Sequence, residues 1–218
     1  MADEIRLYAL DCAPFADPAL FQAYFDRLPM WRRQKTERIK PPGEKRLSLG
    51  AGVFLLSLFP EKDLSRIRFG ENGKPYFEES GVSFNLSHAG QYAVCAVGRG
   101  ALGCDIERMR PYSERVAERF FHPYETGLLA SEPDPERRQA LFFRLWTLKE
   151  SVLKASGKGL TQPLNSFYIT FENGAPAAGG LSFGAALKEY TAPSGYVLAA
   201  CAPAGSGFAP GVQYLQIQ

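Results

Sequence analysis

The sequence predicts an α+β fold of two similar packed halves, residues 1–102 and 103–218. Strand-like runs and helical segments occur in both halves, and each half holds strands and one long helix with no long linker between them. No clear internal sequence repeat is present, so the similarity of the halves depends on the order of their elements. With 218 residues and 45% hydrophobic content, the chain can bury a core as one large domain or as two units.

In the first half, the pattern predicts a strand, two helices and a hairpin. Residues 5–10 alternate and are rich in strand formers. Asp17 followed by Pro18 is typical of a helix cap and first turn. The apolar spacing over residues 44–59 favours a helix that is buried on much of its surface. The Asn72-Gly73 dipeptide between strand-like flanks indicates a hairpin turn.

In the second half, the strongest element is a long helix. Asp134 and Pro135 supply its cap and first turn, and Gly157 ends it. A shorter helix is predicted to begin at Ser113 and to stop at Pro123. The middle and the tail of the chain contain further runs that predict strands: 82–88, 91–98, 102–107, 165–172 and 195–203.

Composition and charge argue against several classes of protein. The 25 basic residues are nearly balanced by 23 acidic ones, which argues against a nucleic-acid partner. The longest apolar stretch, 51–59, is too short to cross a bilayer, and the acidic start of the chain does not resemble a signal peptide. Low-complexity sequence is confined to 174–180. The cysteines lack the spacing of metal or disulfide sites, which predicts reduced thiols in a cytoplasmic protein: Cys12, Cys95, Cys104 and Cys201.

Basic residues cluster between positions 31 and 46, where seven Lys and Arg residues accompany only two Glu residues. Such a run is typical of a solvated helix face. It is also suited to a multiply charged anion such as the phosphates of a nucleotide. The run by itself leaves both interpretations open.

Two carboxylates, Asp105 and Glu107, are spaced so that they leave the same face of a predicted strand. On an exposed edge they would only add solubility. The apolar residues around them predict a half-buried strand instead, where adjacent carboxylates repel unless a cation or a proton lies between them.

Trp146, Glu150 and Lys154 follow one face of the long helix at intervals of four residues. Glu150 and Lys154 could form an ordinary helix pair, but the helix is apolar over most of its circumference, so its few charges are expected to face a site. Placed opposite the acidic pair, Glu150 completes a set of oxygen ligands suited to Mg²⁺ and to work on phosphate esters. His88, in the turn after a predicted strand, could be structural or could contact an anion.

Five motifs occur in order along the chain: GKPY at 73–76, FNLSHAG at 84–90, GCDIE at 103–107, WTLKESVLK at 146–154 and GKGL at 157–160. Together they resemble the 4′-phosphopantetheinyl transferases, specifically the long single-chain (surfactin-synthetase-activating) type. The resemblance implies a pseudo-twofold α+β fold with coenzyme A between the halves. It also implies transfer of the phosphopantetheine arm of coenzyme A to a serine of an apo acyl or peptidyl carrier protein, with adenosine 3′,5′-bisphosphate as the other product.

The resemblance further implies roles for single residues. Asp105, Glu107 and Glu150 match a magnesium site, where Mn²⁺ is also conceivable. Glu150 is the candidate to accept the serine proton, and Lys154 matches a lysine on the pyrophosphate that can protonate the leaving group. The implied contacts to coenzyme A fall on Arg46, Lys74, Ser87, His88 and Lys154. Upstream of Arg46 the basic residues do not align cleanly with the family, and Arg32 or Lys35 could fill that role.

Because both halves lie in one chain, the protein is expected to act as a monomer. Residues 110–124, with Arg115 and Arg119, are the expected docking surface for an acidic carrier domain. Two alternatives stay open: a magnesium-dependent phosphodiesterase that cleaves coenzyme A with water as acceptor, and a non-catalytic module that only binds coenzyme A.

Overall fold

Helices and strands occur throughout residues 4–78 and 81–217, the part of the chain that the computed structural model describes, and they confirm the α+β class. Within this part, no helix combines the length and the apolar character needed to cross a membrane. The helices are α1 (Pro18–Phe25), α2 (Met30–Glu37), α3 (Pro42–Leu58), α4 (Glu114–Phe120), α5 (Pro123–Ser131) and α6 (Pro135–Ser156). The strands are β1 (Ile5–Asp11), β2 (Arg68–Phe69), β3 (Pro75–Tyr76), β4 (Ser83–Ala89), β5 (Tyr92–Gly98), β6 (Gly103–Arg108), β7 (Tyr168–Glu172), β8 (Ala175–Gly179), β9 (Ala185–Tyr190), β10 (Tyr196–Pro203) and β11 (Phe208–Tyr214).

The strands form two main sheets and two small ribbons. The first sheet has the order β11-β1-β5-β4, and the second has the order β6-β10-β9. β1 pairs antiparallel with β5 and parallel with β11, so the last strand of the chain joins the sheet that the first half begins. The ribbons are the β2–β3 and β7–β8 hairpins.

Alternation along the central strands divides the core into layers, because successive side chains leave opposite faces of a sheet. On β10, Leu198 and Ala200 belong to a buried cluster between the two sheets, whereas Ala199 and Cys201 pack with α6. On β5, Cys95 packs with α3 on the outer face of the first sheet. The order of layers is therefore helix, sheet, sheet, helix, with α3 and α6 outermost.

The predicted starts of α1 and α6 and the predicted end of α6 are confirmed by their caps. The Asp17 carboxylate accepts hydrogen bonds from two backbone N–H groups in the first turn of α1. Asp134 accepts one from the N–H of Arg137 at 2.8 Å at the start of α6. After α6, Gly157 takes the left-handed conformation with φ of 70°, which other residues adopt only with strain.

Several elements differ from the sequence prediction. Pro123 does not stop a helix: α4 ends before it, and Pro123 is the first residue of α5, where its missing N–H has no helical partner to lose. The basic run 31–46 is split between α2 and α3. The stretch 174–180 contains β8, because the backbone of Ala and Gly residues still forms a ladder when β7 supplies a partner. β9 and β11 were not predicted.

Gly103 begins β6 in direct contact with the backbone of α6. A Cβ atom at this position would lie 2.1 Å from the carbonyl oxygen of Ser151 and 2.5 Å from the nitrogen of Ala155. Backbone atoms cannot move aside as a flexible side chain can, so we expect Gly103→Ala to lower the free energy of unfolding by about 3 kcal/mol.

Chemical denaturation monitored by far-UV circular dichroism measures this effect. Gly127→Ala is the matched control, because a Cβ atom there meets nothing within 4 Å and the residue lies inside α5. That substitution should be neutral or stabilising by up to about 1 kcal/mol. Equal stability of the two variants would contradict the close approach of β6 and α6.

Candidate active site

The candidate active site lies where β4 of the first sheet runs beside β6 of the second. Side chains join these strands: the Asn85 amide oxygen accepts a hydrogen bond from the N–H of Cys104 at 2.8 Å, and the Ser87 hydroxyl donates to Asp105 at 2.7 Å. Cys104 and Ile106 face the layer between the sheets. Asp105 therefore points the other way, towards α6.

Asp105 is 4% exposed and is held by two donors on one of its oxygens. Its Oδ1 accepts from the Ser87 hydroxyl and from the Lys154 ammonium, the latter at 2.6 Å, and Lys154 also donates to the Ser87 oxygen at 2.8 Å. Burial opposes the charge of Lys154, but the ion pair with Asp105 raises its pKa on balance. Oδ2 of Asp105 is buried with no hydrogen-bond partner among the described residues.

Glu107 and Glu150 share the electrostatic field of Asp105. Burial and then the Asp105 charge raise the pKa of Glu107 to about 7, although Arg110 and Lys154 act in the opposite direction. The Trp146 side chain also acts to lower the pKa of Glu107. Burial and then Asp105 also raise the pKa of Glu150.

Two of the predicted metal ligands, Glu107 and Glu150, therefore sense the charge of the third, Asp105, although the three do not form a closed cage. Across residues 4–78 and 81–217, no three His, Cys, Asp or Glu side chains are grouped so that they could hold a metal ion by themselves. Any cation at this cluster would need further ligands from water or from a substrate.

A cavity of about 260 Å³ opens next to Lys154 and gathers most of the basic residues that the sequence singled out. It runs between α2, the β2–β3 hairpin, β4 and the end of α6. Its titratable lining residues are Arg32, Lys35, Lys74, His88 and Lys154.

The basic residues of the cavity disfavour one another's charge. Burial lowers the pKa of Arg32 to about 10, and its guanidinium donates two hydrogen bonds to the carbonyl of Ser48. Burial and then Arg32 lower the pKa of Lys35. The His88 ring is partly exposed, yet desolvation lowers its pKa; Glu44 opposes this and the nearby cations add to it. An anion in the cavity would relieve this repulsion.

Two of the predicted coenzyme A contacts lie outside the cavity lining. Arg46 is half-buried on α3 and is not among the lining residues. Ser87 is buried behind the cavity, where it touches Lys154 and Asp105.

Sequence reasoning missed several residues around the site. Asn72 and Asn85 both line the cavity. Asn85 lies two residues before Ser87 on the same face of β4, and this spacing could have indicated it as a site residue. A further miss is the ion pair between Lys149 and Glu125, which is fully buried although Lys149 directly precedes Glu150 on α6.

A second cavity, of about 230 Å³, opens beside Glu107. Arg110 lies at this cavity, and most of the remaining lining is aromatic or apolar. The lining residues are Glu107, Arg110, Pro111, Tyr112, Ser113, Val116, Phe142, Phe143 and Trp146. The acidic cluster thus has a basic cavity near Lys154 and a mainly apolar one at Glu107.

Comparison with known proteins shows the family of the chain. Residues 101–201 match the family model of the 4′-phosphopantetheinyl transferase superfamily. A 4′-phosphopantetheinyl transferase of Bacillus subtilis is 38% identical over 157 residues, which is 69% of each chain. The 4′-phosphopantetheinyl transferase Sfp of Bacillus subtilis strain 168 is 33% identical over 181 residues, 78% of this chain and 80% of Sfp. The 4′-phosphopantetheinyl transferase HetI of a Nostoc species is 38% identical over 181 residues, 78% of this chain and 75% of HetI. This chain belongs to the 4′-phosphopantetheinyl transferase family.

Proposed function

We propose that this chain transfers the 4′-phosphopantetheine arm of coenzyme A to a serine hydroxyl of an apo peptidyl or acyl carrier protein. Adenosine 3′,5′-bisphosphate is the second product. The observation that carries the proposal is the contact of Lys154 with Asp105, which joins a carboxylate cluster to a basic cavity. The carboxylate cluster suits a divalent cation, and the basic cavity suits phosphates. Coenzyme A carries its pyrophosphate between the nucleotide and the pantetheine arm, so it can use both features.

We assign a Mg²⁺ site to Asp105, Glu107 and Glu150, with Mn²⁺ as an alternative of similar ligand preference. The buried Oδ2 of Asp105, which has no partner among the described residues, fits a cation. The raised pKa values of Glu107 and Glu150 also fit one, since burial and then the Asp105 charge raise them and Lys154 only partly offsets this. When bound, the ion would neutralise charge that develops on the pyrophosphate oxygens. The relatives' names state the transferase activity but not a metal.

The protein side chains handle the protons of the reaction. Glu150 has a raised pKa, which suits a group that must accept the serine proton near neutral pH. The serine oxygen then bonds to the phosphorus of the arm as the bond to the leaving bisphosphate breaks. Lys154 lies at the mouth of the basic cavity, where it can hold the pyrophosphate and return a proton to the leaving oxygen.

The nucleotide end of coenzyme A fits the basic cavity. Lys35 and His88 are its exposed cationic or titratable groups, and Arg32 supports them from its buried position. Ser87 acts from behind by orienting Lys154. Arg46 stays a predicted contact for a phosphate that extends beyond the cavity. The pantetheine arm, which is long and weakly charged, would run past the carboxylate cluster to the mainly apolar cavity at Glu107.

The carrier protein is expected to dock on α4 and its flanks. Arg115 and Arg119 are exposed there, with the Arg119 guanidinium over the Phe120 ring at 5.1 Å, and Tyr124 is also exposed. Action as a monomer is part of the proposal, because both halves of the chain contribute to the site: Ser87 lies in the first half, and Asp105 and Lys154 lie in the second. The four buried cysteines are free thiols, which supports a reducing, cytoplasmic location.

Intact-mass spectrometry of an apo peptidyl carrier protein, incubated with this chain, coenzyme A and Mg²⁺, tests the proposed function. We expect a mass gain of one phosphopantetheine group per carrier that disappears when EDTA removes the metal and returns with excess Mg²⁺. Charge reversal at Arg115 and Arg119 should raise the KM for the carrier and leave the KM for coenzyme A unchanged.

The products separate the alternatives. A phosphodiesterase would release free phosphopantetheine and leave the carrier mass unchanged, and a binding module would retain intact coenzyme A. Either result with a panel of peptidyl and acyl carriers would overturn the proposed transfer.

A further inference from the structure

The β2–β3 hairpin is too short to be stable alone and lies against the end of α6. Each strand contributes two residues. Within its turn, the N–H of Gly70 donates to the carbonyl of Lys74 at 2.9 Å, and the N–H of Gly73 donates to the carbonyl of Gly70 at 2.8 Å. An isolated two-stranded hairpin is marginal in water, so this one depends on the contacts that its side chains make elsewhere.

Lys74 makes the main contact between this turn and the rest of the site. Its ammonium donates to the carbonyl of Leu102 at 2.7 Å and to the carbonyl of Lys154 at 2.6 Å. The Lys154 carbonyl belongs to the last turn of α6, where carbonyls have no helical N–H partner and where a cation is favourable. Leu102 directly precedes β6. Two of the three ammonium donors of Lys74 are therefore engaged by the protein.

Asn72 reinforces this contact from the same turn. Its side-chain amide donates to the carbonyl of Gly157 at 2.9 Å, one residue past the end of α6. Gly159 packs so closely that a Cβ atom there would lie 3.3 Å from Asn72. At the other end of the hairpin, the rings of Phe69 and Trp31 meet edge to face at 5.1 Å.

We propose that Lys74 and Asn72 form a clamp that positions Lys154 against Asp105, and that Lys74 is a positioning residue and not a ligand of a coenzyme A phosphate. The clamp ties the two segments that carry this pair, since Lys154 lies in the α6 turn whose carbonyls are bound and Asp105 lies three residues after Leu102. The expected effect of the clamp on catalysis rests on the proposed function. Its expected effect on the rigidity of the end of α6 is independent of that function.

The test combines amide hydrogen exchange of residues 152–158, calorimetric binding of coenzyme A and the turnover of carrier protein. Lys74→Met and Asn72→Ala should each speed exchange in this segment about tenfold. Both should lower kcat about tenfold, because a displaced Lys154 serves the leaving group poorly. Their Kd for coenzyme A should change by less than about threefold, since few direct ligand contacts are lost.

Two further lysine variants calibrate the result. Lys35→Met removes an exposed ammonium from the same cavity and should weaken coenzyme A binding without changing the exchange of α6. Lys62→Met removes an exposed lysine outside the cavity and should change neither quantity.

Unchanged exchange in both hairpin variants, together with a loss of coenzyme A affinity in Lys74→Met as large as in Lys35→Met, would overturn the clamp and make Lys74 a phosphate ligand. If Lys74→Met does not fold, Asn72→Ala decides, because it alters no charge: wild-type exchange in α6 overturns the proposal and faster exchange supports it. If the wild-type chain modifies no carrier, the proposed function fails, while the exchange measurement still decides the clamp.

Discussion

Glu125→Gln is expected to lower the free energy of unfolding by about 3–5 kcal/mol, because it breaks a buried ion pair from one side. The side chains of Glu125 and Lys149 are both 0% exposed, and the Lys149 ammonium lies 2.7 Å from each Glu125 oxygen. The same carboxylate accepts from the backbone N–H groups of Ile169 at 2.8 Å and His122 at 2.9 Å. A neutral amide would leave the ammonium charged inside the core.

The position of Lys149 explains why the cost is large. Its ammonium also donates to the carbonyl of Phe167 at 2.7 Å and lies 4.3 Å from the centroid of the Phe167 ring. Burial lowers the pKa of Lys149, and Glu125 counteracts the shift. One network thus joins α5, α6 and β7, so its loss loosens three elements at once.

A double-mutant cycle in urea separates the pair from other effects. Glu125→Gln with Lys149→Met should be less destabilising than the sum of the single changes by about 2–3 kcal/mol, because no unpaired charge stays buried. The control is Glu189→Gln, which breaks the half-exposed pair of α6 with β9 through Arg144 and should cost about 1 kcal/mol. If Glu125→Gln costs no more than Glu189→Gln, the buried pair does not have the role described.

Local sequence patterns predicted the helices whose first and last residues are typical capping residues. α6 was predictable because Asp134 supplies a cap and Gly157 supplies a left-handed stop. β11 was not, because its parallel pairing with β1 joins residues about as far apart as the chain allows and leaves no local signal. Pro123 carries an ambiguous signal, since proline is compatible both with the end of a helix and with the first turn of the next, and here it only begins α5.

Periodicity likewise predicted which site residues share a face but not which groups they contact. The spacing of Asp105 and Glu107, and that of Glu150 and Lys154, gave the faces that meet at the junction of β6 and α6. It could not show that Lys149, one residue before Glu150, turns away into the core to meet Glu125. It also could not show that the Lys74 ammonium donates hydrogen bonds to two backbone carbonyls, because those carbonyls lie 28 and 80 residues away in the sequence.

Glu150→Gln should lower the rate of carrier modification and raise the thermal stability of the metal-free protein. The substitution keeps the shape of the side chain but removes the group proposed to accept the serine proton and to bind the metal. We expect the rate of carrier modification to fall by about 10²–10⁴, measured by intact mass under saturating coenzyme A. The control Glu172→Gln changes an exposed glutamate at the end of β7, away from both cavities, and should keep the wild-type rate.

The metal-free Glu150→Gln protein should nevertheless melt at a higher temperature than the metal-free wild type. Because the folded pKa of Glu150 is raised by burial and by Asp105, the wild type loses stability as the pH rises from the ordinary pKa of a glutamate through the raised one. The glutamine carries no such charge, so its advantage should be absent at pH 4 and grow towards pH 8. Calorimetry in EDTA at both pH values measures this difference. A Glu150→Gln protein that is both inactive and less stable at pH 8 would show that the substitution damages the fold, and the loss of activity would then say nothing about a base.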